Sequence, residues 1–289
     1  MTLSKLITDR DGDVEMKKGK QFIIISSILA VVSTVIKIYH DTNFFKVQPV
    51  HIQTKKIPKG SSFSILQLSD IHNKVFINNN EMFINKVSKI NADVIVLTGD
   101  LIDRKTKELV HVFHLVEKLI AINPRVYFVS GNHEWDNPKR EELFNGLRNR
   151  GVILLDNKSR TITLANTRLT LIGVADFTTQ HADLDLAMQS REQADYTVLL
   201  SHAPDISWML ADTPIDVTLS GHTHGGQIRF PFIGGIVAPG QGYFPKLDKG
   251  LYPMKNGKYV YVDSGVGTTW FPIRFLNQSQ MSLIKITGE

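Results

Sequence analysis

The sequence predicts an α/β domain with buried sheets. Two observations carry this. Short apolar runs alternate with helical patterns from residue 61 onward, and no internal repeat or low-complexity tract interrupts them. The chain's 289 residues suffice for one large domain with an appendage, or for two small domains. Its 42% hydrophobic and 21% charged residues exclude a disordered or collagen-like chain.

The N-terminal segment has a different character. Residues 1–20 are polar and end in Lys17, Lys18, Gly19 and Lys20, which reads as a cytoplasmic tail. Gln21–Ile36 carries no charge, and Lys37, Ile38 and Tyr39 extend the run to residue 39. A spanning helix needs about 20 residues, and Lys37 can snorkel from its end. Residues 21–39 therefore read as a transmembrane signal anchor. A cleaved signal peptide also fits, although no A-x-A site follows, and so does a buried helix, although the run is apolar on every face. The Lys cluster before the span places the N-terminus inside and the rest of the chain outside the membrane, a contrast weakened by Lys55, Lys56 and Lys59. The expected protein is thus single-pass in the cell membrane, with its main domain extracytoplasmic.

Residues 40–289 form the expected domain, with a tether over 40–60 and the core beginning near 61. Within the tether, Val47–Thr54 is compatible with a first strand. Strands are expected at Ser64–Leu68, Val94–Leu97, Val126–Val129, Val152–Leu155, Leu169–Val174, Thr197–Leu200 and Val217–Leu219. Helices are expected at Glu81–Ile90, Lys107–Ile122, Lys139–Arg150 and Ala182–Arg191. The net charge of +5 suits work near anionic lipid or phosphorylated substrates, but it is too small to imply nucleic-acid binding. There is no cysteine, so thiolate metal sites, disulfides and Cys nucleophiles are excluded.

Polar clusters follow five of the expected strands: Asp70-Ile71-His72, Gly99-Asp100-Leu101-Ile102-Asp103, Gly131-Asn132-His133-Glu134, Ser201-His202-Ala203-Pro204-Asp205 and Gly221-His222-Thr223-His224-Gly225-Gly226. Taken singly, each has an ordinary reading: Asp100 as a helix cap, Asn132 as a turn residue, His202 as a hydrogen-bonded structural histidine. Five such strand ends in one chain, four of them beside a Gly or Pro, are a different matter. Imidazole and carboxylate without sulfur suit Mn, Fe or Zn. So many ligands exceed the need of one ion and suit two ions about 3.5–4 Å apart, with a carboxylate between them. Such a pair lowers the pKa of a shared water, aligns a phosphate for in-line attack and neutralises its oxygens.

The ordered set DxH, GDxxD, GNHE, SH and GHTH resembles the calcineurin-like metallophosphoesterases. The segments GHTHGGQIRFP (Gly221–Pro231) and YVDSGVGTTWFPIRF (Tyr261–Phe275) resemble a bacterial subgroup of membrane-anchored or secreted phosphohydrolases. The resemblance covers about residues 48–289. It implies a four-layer α-β-β-α sandwich of two mixed sheets and two divalent ions per chain. It assigns Asp70, His72 and His224 to the first ion, Asn132, His202 and His222 to the second, and Asp100 to both. His133 would protonate the leaving oxygen or stabilise the transition state. The implied reaction is hydrolysis of a phosphomonoester, phosphodiester or pyrophosphate. The subgroup adds a small phosphorylated or lipid-linked substrate, such as a nucleotide-sugar lipid or phospholipid.

Several residues outside this set have double readings. Asp103 and Glu134 would orient ligands, Asp103 equally as a helix cap. Substrate contacts are expected from Asn132 and His133, and the forked guanidinium of Arg229 or Arg274 also fits phosphate, or else pairs with a carboxylate. Trp270 and Phe271 fit an apolar rim, core packing or a membrane contact. Two other classes share this fold: a non-catalytic scaffold, which need not retain the full ligand set, and a nuclease, which the modest charge disfavours.

Overall fold

The computed structural model describes residues 3–289 except 77, 165, 190, 193, 195 and 270, with side chains described from residue 17. Trp270, one of the expected rim residues, lies outside the described residues. In chain order the first half comprises α1 (Leu3–Asn43), β1 (Phe45–Thr54), β2 (Ser62–Leu68), α2 (Glu81–Ile90), β3 (Val94–Thr98), α3 (Val110–Ile122), β4 (Val126–Val129), α4 (Asn132–Trp135), α5 (Arg140–Asn149) and β5 (Ile153–Leu154). The second half comprises β6 (Lys158–Leu164), β7 (Thr167–Gly173), α6 (Leu184–Gln189), β8 (Tyr196–Leu200), β9 (Val217–Ser220), β10 (Arg229–Phe230), β11 (Gly234–Gly235), β12 (Val237–Ala238), β13 (Gly242–Tyr243), β14 (Gly250–Pro253), β15 (Tyr259–Val262) and β16 (Ser279–Gly288).

Two six-stranded mixed sheets result, in the orders β1-β16-β2-β3-β4-β5 and β14-β15-β9-β8-β7-β6. Strand alternation sorts side chains between layers. In β3, Val94 and Val96 face the second sheet, where they meet Leu171, Val198, Leu200 and Leu219. Ile95 and Leu97 face outward onto Phe83, Val87, Val112, Leu115 and Leu147 of the helices. On the far side, Ile172 and Leu199 pack against Ala187 of α6 and Ile206. The layers are therefore helix, sheet, sheet, helix. β2, β3 and β4 are mutually parallel neighbours, as are β7, β8 and β9. Their C-terminal ends are where an α/β sheet opens a crevice.

One expectation is corrected. Residues 40–60 are not a tether: β1 pairs along its whole length with β16, and Val50, Ile52 and Ile57 are buried in the core. The domain thus begins at the end of α1. The helix itself runs from Leu3 to Asn43, longer at both ends than residues 21–39. Its apolar residues, among them Phe22, Ile24, Ile28 and Leu29, are exposed, and it is the one described helix long and apolar enough to cross a membrane. Its last turn is bonded to the domain. The buried Asp41 carboxylate accepts from Lys37 Nζ at 2.7 Å and from the Asn277 amide at 3.2 Å, and Thr42 Oγ1 accepts from the Arg274 amide at 2.9 Å.

β16 was not among the expected strands. Gln280 and Ser282 interrupt its apolar alternation, yet both are buried and bonded, Gln280 Nε2 to Asp263 Oδ2 at 3.3 Å and Ser282 Oγ to Tyr261 Oη at 2.7 Å. A strand whose interior face is partly polar reads as a loop until its partners are known.

Candidate metal centre

The loops after β2, β3, β4, β8 and β9 converge on one buried cluster. Asp70 and His72 follow β2, Asp100 follows β3, Asn132 and His133 open α4 after β4, His202 follows β8, and His222 and His224 follow β9. Asp70, His72, Asp100, His222 and His224 all have positive φ, between 50° and 70°. Non-glycine residues seldom adopt that region, and its occupation by five neighbours marks a functional site held by its surroundings.

Those surroundings are hydrogen bonds. Asp70 N–H donates to the Gly99 carbonyl at 3.1 Å and His72 N–H to the Asp100 carbonyl at 2.9 Å. The buried Glu134 carboxylate accepts from the amides of Asp100 (2.9 Å), Gly131 (2.8 Å) and Ile102 (3.2 Å), clamping the GDxxD loop to the GNHE turn. Asp100 Oδ1 accepts from His133 N–H at 2.9 Å, and Asp70 Oδ1 accepts from His222 N–H at 3.1 Å. Two glycines are dictated by close approach: a Cβ on Gly131 would overlap Asp100 Oδ1, and one on Gly221 would overlap Ser69 Oγ and Asp70 Oδ2.

The side chains form two adjoining nests. In the first, His72 Nε2 lies 3.2 Å from His224 Nε2, which lies 3.3 Å from Asp70 Oδ1. In the second, His222 Nδ1 lies 3.1 Å from His202 Nε2, which lies 3.1 Å from Asp100 Oδ2. The same Asp100 oxygen is 3.7 Å from His72 Nε2, so it borders both nests. Asn132 Oδ1 is buried without a hydrogen-bond partner. Asn132 lines a cavity of about 550 Å³ with Asp100, His133, His222 and His224.

These residues fit a pair of cations. His202 Nδ1–H donates to the Thr98 carbonyl at 2.9 Å, which leaves Nε2 as the ligating atom. Burial holds His72 and His222 down to about 3 and His224 well below its ordinary value, so all three present lone pairs. Imidazole nitrogens crowded within 3.2 Å of each other, an orphaned amide oxygen and buried carboxylates are a poor hydrogen-bonded core but a competent N/O donor set.

His133 stands at the cavity wall, its ring 4.6 Å edge-on from that of His72. Its Nδ1 faces Asp103 Oδ2 at 3.2 Å and its Nε2 meets Arg104 Nη1 at 2.7 Å. Arg104 has no lone pair to offer, so Nε2 accepts from its guanidinium, while Nδ1 lies between the Asp103 carboxylate and the Arg104 backbone N–H, which approaches it at 3.3 Å. Burial lowers the His133 pKa, with the Asp100 charge opposing and Arg104 reinforcing. Asp103 caps no described helix: its other oxygen accepts from the Lys105 amide at 3.0 Å in a turn.

Sequence reasoning missed Arg104 and Lys105, which line the cavity beside the cluster. Their signal was position: both follow GDxxD directly. Arg274 is a correction. Its side chain is fully buried, donating from Nε to the Gly267 carbonyl at 3.0 Å and from Nη2 to the Ser264 and Gly267 carbonyls at 2.6 Å each. Burial lowers its pKa to about 10 against the raising effect of Asp70, Asp263 and Asp41, so it is an internal counter-charge and does not face the cavity. Arg229 is also engaged, with Asp248 at 2.7 Å.

A model of the calcineurin-like phosphoesterase family matches residues 63–226. The uncharacterized Bacillus subtilis metallophosphoesterase YkoQ is 30% identical over 267 residues, 90% of this chain and 97% of that one. A second from the same organism, YkuE, is 29% identical over 81% of this chain and 83% of its own. A zebrafish (Danio rerio) transmembrane protein with metallophosphoesterase domain is 28% identical over 91% of this chain and 61% of its own.

The titrations of the cluster bear on metal loading. Burial raises Asp70 to about 7 against the opposing His202, with Asp100 adding to the rise. Burial alone would lower His202, but the Asp100 charge and hydrogen bond outweigh it and raise the imidazole well above its ordinary value. Both groups therefore hold a proton below about pH 7, and both must lose it to become ligands. Cation binding is expected to release about one to two protons per chain at pH 6. Affinity is expected to rise as pH climbs through about 7, the folded-state value of Asp70. Titration calorimetry in buffers of different ionisation enthalpy measures the release. Affinity independent of pH, with no proton released, would contradict the assignment.

Proposed function

This chain belongs to the calcineurin-like phosphoesterase family and is a metallophosphoesterase, and from that premise we propose that it hydrolyses a phosphomonoester, phosphodiester or pyrophosphate at a membrane surface with two divalent cations in one site. The observation that carries this reading is the single Asp100 oxygen bordering both histidine nests. In the proposed assignment Asp70, His72 and His224 hold the first cation, Asn132, His202 and His222 the second, and Asp100 both. The donor set favours Mn, Fe or Zn. When bound, such a pair supplies Lewis acidity toward phosphate oxygens and a water nucleophilic at neutral pH.

The chain's own residues complete the chemistry. Arg104 and Lys105 line the cavity and meet phosphate oxygens, Arg104 with the donors not engaged by Asp136, whose Oδ2 accepts from its Nε at 2.6 Å. Asp103 fixes the His133 ring through Nδ1. When substrate draws Arg104 away, Nε2 of His133 is free to carry a proton and deliver it to the leaving oxygen. The walls are nearly dry: Asp70, Asp100, His202 and His224 are each at most 2% exposed, and charges there act at low dielectric.

The membrane part of the reading rests on α1 and on the zebrafish relative named as a transmembrane protein. With Lys17, Lys18 and Lys20 before the span, the catalytic domain lies outside the cytoplasm, and its substrate is a small phosphorylated molecule or a lipid-linked one. A C-terminal reporter active only outside the cytoplasm tests the sidedness, and a silent reporter would reverse it.

For the chemistry, the full chain in detergent is stripped of metal and given an aryl phosphomonoester and an aryl phosphodiester. Mn or Zn is expected to restore turnover, and Asp100→Ala to abolish it. His133→Gln is expected to keep its metal content while kcat falls about 10²–10⁴-fold. Two ions bound without turnover of either ester, or turnover indifferent to Asp100, would refute the reading.

A further inference from the structure

A second cavity, of about 750 Å³, adjoins the metal centre and shares His224, Pro239 and Thr269 with it. Its other walls are mostly apolar, built from Ile228, Phe230, Ile236, Val237 and Phe271, with Thr223 and Gln227 as the polar exceptions. The segment that forms it, residues 228–244, is short of core. Phe230, Phe232, Ile233, Val237, Tyr243 and Phe244 are all exposed, Phe232 completely. A cluster of that size on a water-facing loop needs a partner, because soluble surfaces rarely leave so much contiguous apolar area uncovered.

The position of the loop indicates which partner. Arg229 N–H donates to the Phe275 carbonyl at 3.0 Å and Phe275 N–H to the Gln227 carbonyl at 3.2 Å, so the loop is laced to residues 271–277. That same stretch receives the last turn of α1, through Arg274 to Thr42 and Asn277 to Asp41. The exposed aromatics therefore belong to a loop whose base is tied to the stretch that receives the spanning helix, and aromatic side chains favour the bilayer interface. From there the apolar cavity leads inward to His224, and Arg104 and Lys105 stand on the wall of the adjoining metal-centre cavity.

We propose that this cavity is the subsite for the hydrocarbon chain of a lipid phosphoester, taken from the bilayer beside α1 with its phosphate at the metal centre. The proposal rests on the hydrolase reading above. It narrows the substrate to an amphiphile and explains why the domain is joined to its helix without a free linker. Walls that are mainly aromatic and aliphatic, with few polar groups, recognise chain length more than chain identity.

The test uses the metal-loaded full chain in one detergent and two probe series. Aryl phosphodiesters carrying a methyl or an octyl group report turnover, and methyl and octyl phosphonates report binding by calorimetry without turnover. The octyl compounds are expected to exceed the methyl ones at least about tenfold in kcat/KM and in affinity, from burial of the added methylenes. Val237→Asp is expected to bring both ratios toward one, and Val237→Leu to retain them; comparison within one detergent cancels micelle partitioning. Methyl and octyl esters hydrolysed equally, with equal phosphonate affinities, would overturn the subsite and leave the hydrolase standing. Octyl preference in binding without hydrolysis of any ester would keep the subsite and overturn the hydrolase. A dimer that Val237→Asp converts to monomer, with no chain-length effect, would assign the patch to self-association and overturn the proposal.

Discussion

The buried Asp100 carboxylate lies within 3.1–3.9 Å of ring nitrogens of His72, His133 and His202, and it accepts from the backbone of His133 as well. Burial alone would push its pKa up, but the His202 charge and hydrogen bond, with His72 and His133, hold it well below the usual carboxylate range. An ionised carboxylate so deep in the protein is costly unless it is matched by positive charge. The rest of the site follows from that match. Glu134 fixes the Asp100 backbone, Gly131 lets the GNHE turn approach it, and the left-handed backbone of Asp70, His72, His222 and His224 accompanies the convergence of their side chains on its two sides. This strain is tolerated because both sheets end in the same crevice, and their packed cores hold the loops in place.

A second layer of charge lies beneath the first. Arg274 sits fully buried, its guanidinium bonded to the carbonyls of Ser264 and Gly267, and the 265–267 loop presses on Asp70, whose carbonyl accepts from Gly267 N–H at 2.6 Å. The Arg274 amide is tied to Thr42 of α1. Asn277 makes a parallel link: its amide donates to Asp41, and its side chain donates to the His224 carbonyl at 2.7 Å. The helix read as the membrane anchor and the candidate ligand loops are thus separated by one residue, Asn277, at one point and by two, Arg274 and Gly267, at another. This is a fixed mount, and it orients the catalytic crevice relative to the helix axis.

Much of this was legible in the sequence, for physical reasons. The site was readable because catalysis requires particular donor atoms at strand ends, and DxH, GDxxD, GNHE, SH and GHTH bring those atoms in order. Parallel central strands such as VIVLT were readable because they are buried on both faces. Polar interiors were not. β16 carries Gln280 and Ser282 inside the protein, where Tyr261 and Asp263 satisfy them, and no local pattern reveals partners some twenty residues away. Arg274 was misread for a related reason: a guanidinium that balances Asp70, Asp263 and Asp41 looks, in sequence, like one awaiting a phosphate. Arg104 was overlooked because its role comes from the fold, which sets it against His133.

The central claim is that one carboxylate serves two cations. The most direct measurement is anomalous diffraction from crystals of the full chain soaked in manganese. The account predicts two peaks about 3.5–4 Å apart, one among Asp70, His72 and His224, one among Asn132, His202 and His222, with Asp100 between them. A single peak, or a pair in which Asp100 touches only one ion, would contradict it.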